Sequence, residues 1–155
     1  MKDENTMNIH FICRGNVLRS LIAETYLRSL QLPGVETTSS GTNVDLSSEI
    51  ECEFFANTIG LLKRHGLEQY AKNTSDQLTL KRIDGQDLTV CMNQRVIDEA
   101  NTSVTLPHNT LSWDIVDIGE GRRTVSKNLR LYEEEIFNEI IAKVDELVGS
   151  LSRKM

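Results

Sequence analysis

The segment MNIHFICRGNVLRS, residues 7–20, contains the strongest indication of the fold. Residues 7–12 are mostly apolar and short, as is typical of a buried strand. The Gly15-Asn16 pair predicts a tight turn after that strand. The apolar residues that follow recur at helical spacing: Leu21, Ile22, Tyr26, Leu27 and Leu30. A strand, a turn and a helix in this order indicate the first unit of a parallel α/β sheet.

The rest of the chain continues this alternation. Further strands are predicted over residues 35–38, 88–92 and 103–106, the first of them ending at Ser39-Ser40-Gly41. A helix begins after Ser47 or Ser48, with Glu51 as the capping-box partner of Ser48. A short helix over residues 95–100, a loop over 112–123 and a long helix capped by Ser126 complete the pattern. Helices on both faces of a parallel sheet follow from it.

Composition limits the class of protein. The 155 residues, 39% hydrophobic and 26% charged, fit one domain over 1–155, with residues 1–6 as a flexible tail. A net charge of -6 argues against nucleic-acid binding, and the chain has no apolar run that would span a membrane. Its three cysteines lack the spacing of a disulfide framework or zinc site. We therefore expect a cytoplasmic protein without a metal or cofactor.

The turn itself carries residue types that suit anion chemistry. Cys13 and Arg19 are separated by five residues, enough for backbone N–H groups to surround an anion at a helix N-terminus. The same positive end of the helix favours a thiolate on Cys13. Arg19 offers a planar fork for two phosphoryl oxygens, and the Ser20 hydroxyl can donate to the sulfur. The predicted phosphate-binding residues are Arg14, Gly15, Asn16, Val17, Leu18, Arg19 and Ser20.

Two of these residues suit the backbone that such a loop needs. Gly15 permits close approach, and Asn16 tolerates a positive φ. A bare cysteine and arginine at this spacing would more often be a core thiol and a surface charge. Here the turn residues, the adjacent serine and the strand–turn–helix placement coincide. The sequence therefore favours a nucleophilic Cys13 in a phosphate-binding loop.

Residues 11–20 resemble the signature loop of low-molecular-weight protein tyrosine phosphatases. The resemblance continues in Ala23-Glu24, Ser40-Gly41-Thr42, Gln77-Leu78 and residues 87–93 and 114–117. It implies a single three-layer α/β domain whose four-stranded parallel sheet has the order 2-1-3-4, with the phosphate loop after the first strand. It also implies a phosphomonoesterase that hydrolyses phosphotyrosine in proteins through a phosphocysteine intermediate.

The resemblance also assigns roles to individual residues. Cys13 would be the nucleophile, Arg19 would bind phosphate and Asp117 would be the general acid and base, with Asp114 as the neighbouring alternative. Ser40 matches a serine that hydrogen-bonds the loop asparagine, here Asn16, although it could equally be a turn residue before Gly41. The expected partner is a tyrosine-phosphorylated protein, with a bacterial tyrosine kinase as one candidate, and we expect a monomer or weak dimer.

The sequence departs from the family pattern in the loop that carries Asp117. Ile118-Gly119 follow the aspartate, where the family usually has proline and then aromatic residues, so we expect a more mobile loop. Trp113 could replace part of the missing aromatic residues, which would flank the substrate ring, or it could pack in the core. Leu18 replaces a second loop cysteine, which rules out a disulfide within the loop. Arg14 could steer a dianion to the loop or could simply be solvated.

Three alternatives to a tyrosine phosphatase remain open. A thiol-linked arsenate reductase would need further cysteines; Cys91 lies near one expected position, but Asp98 occupies the region of its companion. A weakly active, phosphate-binding regulatory protein is the second alternative. A protein-arginine phosphatase is the third, but that branch has threonine at the position of Val17, so Val17 favours tyrosine-type substrates.

Overall fold

A computed structural model describes residues 6–124 and 128–154. The predicted tail, apart from Thr6, and the predicted cap Ser126 lie outside the described residues. Four parallel strands form one sheet in the order β2-β1-β3-β4, which confirms the predicted order. The strands are β1 (Met7–Cys13), β2 (Val35–Gly41), β3 (Leu88–Cys91) and β4 (Thr110–Ser112).

Helices connect and cover these strands. They are α1 (Arg19–Ser29), α2 (Glu49–Arg64), α3 (Leu80–Ile83), α4 (Gln94–Ala100) and α5 (Leu129–Lys154), with a 3-10 turn at Glu68–Tyr70. The β1-to-β2 and β3-to-β4 crossovers run in opposite directions across the sheet. Right-handed connections therefore place α1 and α4 on opposite faces, and α5 packs beside α1. Within the described residues, no helix combines the length and apolar character needed to cross a membrane.

The central strand β1 ends where the direction of the crossovers reverses. It pairs with β2 on one side and β3 on the other, so the loop after Cys13 lies at the switch point of the sheet. Every residue from Ile9 to Cys13 is buried, as expected for a strand covered on both faces. Phe11 packs against Trp113 with 5.6 Å between ring centroids. Trp113 is thus a core residue and not part of a substrate wall.

The second strand is longer than predicted. It continues through Ser39 and Ser40 to Gly41, which pairs in register with Cys13. Polar side chains are tolerated there because both hydroxyls have buried partners, Glu24 for Ser39 and His10 for Ser40.

The predicted fourth strand over residues 103–106 is wrong. The backbone N–H groups of Ser103 and Val104 both donate to the Ala100 carbonyl and finish α4, so they cannot pair with β3. The strand β4 instead begins after Pro107 and pairs Thr110 with Thr89.

One of the two hydrogen bonds of the predicted capping box of α2 is present. Ser48 Oγ accepts the Glu51 N–H at 3.2 Å, as in a capping box. The Ser48 N–H, however, donates to the Asp45 carbonyl instead of the Glu51 carboxylate. Glu51 Oε2 lies 2.9 Å from the place that a Cβ on Gly15 would occupy. The carboxylate of Glu51 therefore faces the loop after β1.

The close packing of Gly41 against that loop gives a testable prediction. A Cβ at Gly41 would lie 2.5 Å from the Arg14 carbonyl oxygen and 2.9 Å from the Asn16 nitrogen. Because both are backbone atoms, Gly41→Ala should lower the free energy of unfolding by about 1–3 kcal/mol and weaken phosphate binding.

The matched control is Gly60→Ala within α2, where a Cβ would meet only Arg64 Nη1 at 3.9 Å. Alanine there should raise stability by about 0.5–1 kcal/mol through its helix propensity. Urea unfolding and phosphate titration measure both variants. Equal stability of Gly41→Ala and wild type would contradict the close packing.

Candidate active site

Four backbone carbonyl groups of the loop that follows β1 accept hydrogen bonds from residues outside the loop. The Cys13 and Arg14 carbonyls accept the N–H groups of Thr42 and Asn43 at 3.0 and 2.9 Å. The Asn16 carbonyl accepts from Ser75 Oγ at 2.9 Å, and the Val17 carbonyl accepts from Thr58 Oγ1 at 2.5 Å. Since these carbonyls are satisfied outside the loop, its N–H groups are available to an anion inside it.

Cys13 lies at the base of this loop with only 3% of its surface exposed. Its sulfur lies 2.9 Å from Ser20 Oγ and accepts the Asn16 N–H at 3.2 Å. Asn16 has a φ of 56°, the left-handed conformation that its side chain tolerates. The structure therefore brings Cys13, Asn16 and Ser20 together as the sequence predicts.

The side chain of Asn16 holds the loop from inside. Its Nδ2 donates to Ser20 Oγ at 2.7 Å and to Ser39 Oγ at 2.9 Å, and its Oδ1 accepts the Asp76 N–H at 2.9 Å. The predicted pairing of Asn16 with Ser40 is therefore corrected to Ser39. Neighbouring residues of a strand point to opposite faces, and Ser39 is the one on the face of the loop.

A buried charge cluster supports Ser39. The Ser39 hydroxyl donates to Glu24 Oε1 at 2.5 Å, and Glu24 is only 2% exposed. Arg28 donates to the same carboxylate, and Lys72 Nζ lies 3.6 Å from it while also donating to the Ser39 carbonyl. A buried carboxylate with two cationic partners can hold the serine hydroxyl in one orientation. The contacts thus run without a break from Glu24 through Ser39 and Asn16 to Ser20.

Ser40 belongs to a different buried contact on the opposite face of β2. His10 Nε2 lies 2.8 Å from Ser40 Oγ, and its Nδ1 lies 2.6 Å from Thr38 Oγ1. Burial, together with the positive charges of Lys72 and Arg82, lowers the pKa of His10 to about 3. His10 is therefore neutral at physiological pH and serves to pair β1 with β2.

Arg19 joins the loop to the segment after β4, which we call the acid loop (residues 113–124). The side chain of Arg19 is 2% exposed. It donates through Nη1 to the Ile115 carbonyl at 3.0 Å and through Nη2 to Asp117 Oδ2 at 3.2 Å. These bonds use two of the five guanidinium donors. The arginine can therefore hold the acid loop and still offer donors to an anion.

Asp117, and not Asp114, lines both cavities at the phosphate loop. Asp114 is exposed and lines neither of them. Glu120 orders the turn around Asp117, because Glu120 Oε1 accepts the Asp117 N–H at 3.1 Å. Arg95 in turn donates to Glu120 Oε2 at 2.8 Å.

The mouth of the site has apolar walls and mixed charge. A cavity of about 140 Å³ lies above the loop, and its lining includes Phe54, Ile118, Glu51 and Asp117. Burial raises the pKa of Glu51, and the Asp117 charge adds to this shift while Arg14 opposes it. Arg14 is half-exposed at the rim, with its Nε 3.4 Å from Glu99 Oε2.

Comparison with known proteins is consistent with this geometry. A family model described as low molecular weight phosphotyrosine protein phosphatase matches residues 8–155. The chain belongs to this family. A protein-arginine-phosphatase from Geobacillus stearothermophilus is 38% identical over 76 residues, 49% of this chain and 47% of that protein. The match thus spans about half the length of that curated relative.

Solved structures share the fold over nearly the whole chain. An arginine phosphatase from Geobacillus stearothermophilus superposes with a TM-score of 0.63 at 25% identity, covering 96% of this chain and 97% of the other. A thioredoxin-dependent arsenate reductase from Corynebacterium glutamicum gives 0.71 at 21% identity, covering 99% of this chain and 66% of that one. The second likeness concerns the fold alone.

Several site residues of this family member escaped the sequence analysis. The phosphate loop is hydrogen-bonded by Ser39, Ser75 and Thr58, and Glu24 supports Ser39. Glu51 and Phe54 line the mouth of the site. Glu24 carried a local signal, since Arg28 follows it four residues later on α1, whereas the capping signal of Glu51 did not point to the site. The others come from distant segments, and their approach to the loop depends on the folding of β2 and α2.

The buried His10 predicts a specific dependence of stability on pH. The unfolded state takes up a proton near pH 6.5 while the folded state does not until about pH 3, so stability is lost as the pH falls through this window. Between pH 7 and 5 this loss should be about 2 kcal/mol in wild type and absent in His10→Gln.

Urea unfolding at both pH values measures this difference. His108→Gln, on an exposed side chain, is the control and should keep the wild-type loss. An identical pH dependence of wild type and His10→Gln would show that His10 is not the group responsible.

Proposed function

We propose that the protein is a phosphomonoesterase that hydrolyses phosphotyrosine in proteins through a phosphocysteine intermediate. One observation carries this proposal. Cys13 is buried at the base of a loop whose carbonyl groups bond to residues outside it. At the same loop, the guanidinium of Arg19 lies 3.2 Å from the Asp117 carboxylate. Nucleophile, anion cradle and candidate proton donor thus meet at one sheet edge.

In the first step the Cys13 thiolate attacks phosphorus, an S–P bond forms and the bond from phosphorus to the leaving oxygen breaks. The loop N–H groups and Arg19 bind the equatorial oxygens as their charge develops. The phosphoryl group takes up guanidinium donors of Arg19, which frees Asp117 to face the leaving oxygen. Asp117 gives that oxygen a proton, so the phenol departs neutral.

In the second step Asp117, now a carboxylate, takes a proton from water as the water oxygen attacks phosphorus. The S–P bond breaks, inorganic phosphate leaves and the thiolate of Cys13 returns. Ser20, 2.9 Å from the sulfur, stabilises the thiolate as leaving group in this step by donating its hydroxyl.

The depth of the site favours a long phosphorylated side chain. Cys13 is 3% exposed beneath a cavity whose apolar lining includes Phe54 and Ile118. A phenyl ring can pass between such walls and bring its phosphate to the sulfur, whereas the short side chain of phosphoserine would not reach it. Phe54 and Ile118 would then take the place of the family's acid-loop aromatics. We infer a tyrosine-phosphorylated protein in the cytoplasm as the substrate, with a bacterial tyrosine kinase as one candidate.

A protein-arginine phosphatase is the second candidate, and the charge of the mouth favours it. Glu51 and Asp117 outnumber Arg14 in the lining of the same cavity, and this carboxylate pair would attract the guanidinium of phosphoarginine, which is also a long side chain. The curated relative named protein-arginine-phosphatase supports this candidate. Val17, where that branch has threonine, argues for the aryl substrate.

Arsenate reduction has less support from the geometry. It would need Cys91 as a second thiol, but Cys91 is completely buried, and burial, together with the charge of Cys13, raises its pKa to about 12. A thiol in that state is a poor nucleophile. The exposed Asp98 lies on α4 in the region where its companion cysteine would be needed.

Kinetics with an aryl phosphate test the main proposal. Cys13→Ser should abolish hydrolysis yet still bind phosphate or vanadate, because the loop N–H groups and Arg19 remain. Asp117→Asn should slow hydrolysis by about 10²–10⁴, the usual contribution of acid–base catalysis. Asp114→Asn, at an exposed neighbouring position, is the control and should keep wild-type rates.

Other outcomes would assign the site differently. Full activity of Cys13→Ser would rule out the phosphocysteine route, and a slow Asp114→Asn beside a normal Asp117→Asn would exchange their roles. Phosphate binding without turnover in wild type would favour a regulatory protein. Arsenate reduction with added thiol, lost in Cys91→Ser, would favour the reductase.

The choice between tyrosine and arginine substrates can be tested at Glu51. Glu51→Gln keeps the size of the side chain and removes its charge, so phosphoarginine hydrolysis should fall roughly fivefold, about 1 kcal/mol, as for a partly exposed ion pair. Aryl phosphate hydrolysis should stay level or rise, because a like charge near the dianion is gone. The control is Glu53→Gln, exposed on the same helix and not part of the cavity. Equal effects on both substrates would exclude a role for Glu51 in selecting between them.

A further inference from the structure

The acid loop contains a buried arginine that the proposed reaction does not use. The side chain of Arg123 has 0% exposure, although the sequence places it in a polar loop after two glycines and several acids. A guanidinium is rarely enclosed unless its charge and its N–H groups have partners. Its neighbour Arg122 has 60% of its side chain exposed. The loop thus carries one arginine in solvent and one in the interior.

The contacts of Arg123 connect the acid loop with the C-terminal helix. Its Nη1 donates to the Val116 carbonyl, and its Nη2 donates to Glu139 on α5. Its Nε lies 3.5 Å from Glu135 Oε1, one turn earlier on that helix. Glu139 lies between Ile136 and Ile140, which are completely buried. The guanidinium is therefore anchored to a helix whose position the core fixes.

The backbone of Arg123 also closes the loop on itself. Its N–H donates to the Glu120 carbonyl at 2.9 Å, and its carbonyl accepts the Gly119 N–H at 2.5 Å. These bonds span the glycine-containing turn that follows Asp117, where the family usually has proline. In this chain hydrogen bonds thus constrain a segment that a proline ring would otherwise restrict.

The two ends of the peptide group before Asp117 are held separately. Arg123 holds its oxygen, the Val116 carbonyl, and Glu120 Oε1 holds its nitrogen, the Asp117 N–H. Fixing both ends of a planar peptide group fixes the position of the next Cα, so that only rotations about the bonds of that residue remain to direct its side chain. The direction of the Asp117 side chain therefore depends on a guanidinium that does not itself face the cavity.

We propose that Arg123 is a positioning residue that aims Asp117 at the leaving oxygen. This inference rests on the proposed function, in which Asp117 is the proton donor. Arginine suits the role better than lysine, because its planar fork can bond a carbonyl and a carboxylate at once. The acid loop is then held by a buried ion pair to α5 in place of the proline and aromatics of its relatives.

The experiment compares Arg123→Met with Arg122→Met. Both changes remove a positive charge that contacts Glu139, but only Arg123 reaches the Val116 carbonyl. The measurement is kcat/KM for a series of aryl phosphates whose leaving phenols differ in pKa. A poorly placed acid matters for a basic phenolate and hardly at all for an acidic one. Arg123→Met should therefore lose roughly 10²-fold on phenyl phosphate, as for a misplacement of about 1 Å, and little on dinitrophenyl phosphate.

The companion variants separate positioning from general loss of structure. Combining Arg123→Met with Asp117→Asn should add no further loss on phenyl phosphate, because the acid is already absent. Glu139→Gln, which keeps the shape of the partner, should show the same leaving-group pattern more weakly. Inhibition by inorganic phosphate and the thermal unfolding midpoint report whether the phosphate loop and the fold are intact. Arg122→Met should match wild type throughout.

Each remaining outcome overturns the inference. An equal loss of Arg123→Met on every aryl phosphate, or a further loss in the double variant, would mean that Arg123 acts on the fold and not through Asp117. A wild-type leaving-group pattern in both Arg123→Met and Glu139→Gln would also overturn it. If Asp117→Asn alone shows no dependence on the leaving group, the proposed function fails first, so the two failures are distinguishable.

Discussion

The outward rotation of the carbonyls in the phosphate loop is the constraint on which the rest of the site depends. It leaves the N–H groups facing inward and requires each carbonyl to find a donor elsewhere. Those donors come from the segment after β2, from α2 and from Ser75, so three separate parts of the chain must meet at the end of β1. The tight approach of Gly41 to the Arg14 backbone is a consequence of this convergence.

The same constraint explains why so many polar groups are buried near Cys13. The buried side-chain amide of Asn16 needs hydrogen-bond partners, Ser39 is one of them, and Ser39 in turn depends on Glu24. A carboxylate at that depth requires cations, which Arg28 and Lys72 provide. The network keeps the loop in one shape before any anion arrives, so binding need not supply the energy of ordering it.

Arg19 and Arg123 perform similar tasks on the two sides of the acid loop. Arg19 bonds the Ile115 carbonyl and Asp117 from the side of the phosphate loop, while Arg123 bonds the Val116 carbonyl from the side of α5. Three consecutive residues are thus held by two buried guanidinium groups. This arrangement gives the acid loop a fixed path without proline, at the expense of enclosing two charges that must stay paired.

Residues close together in the chain are enough to predict the local chemistry: a strand, a turn with Asn16, a helix, and Cys13, Arg19 and Ser20 at their spacing. These features follow from periodicity and turn propensity over adjacent residues, and the family resemblance added the sheet order and Asp117. Local sequence patterns mislead where residues far apart compete. Residues 103–106 have a strand-like composition, yet the N–H groups of Ser103 and Val104 bond to the last carbonyl of α4. Asn16 bonds Ser39 instead of Ser40 because Ser39 lies on the face of β2 that is turned toward the loop. The orientation of Glu51 toward the loop and the burial of Arg123 instead of Arg122 become visible in the folded chain alone, because burial of a charge depends on partners brought from other elements.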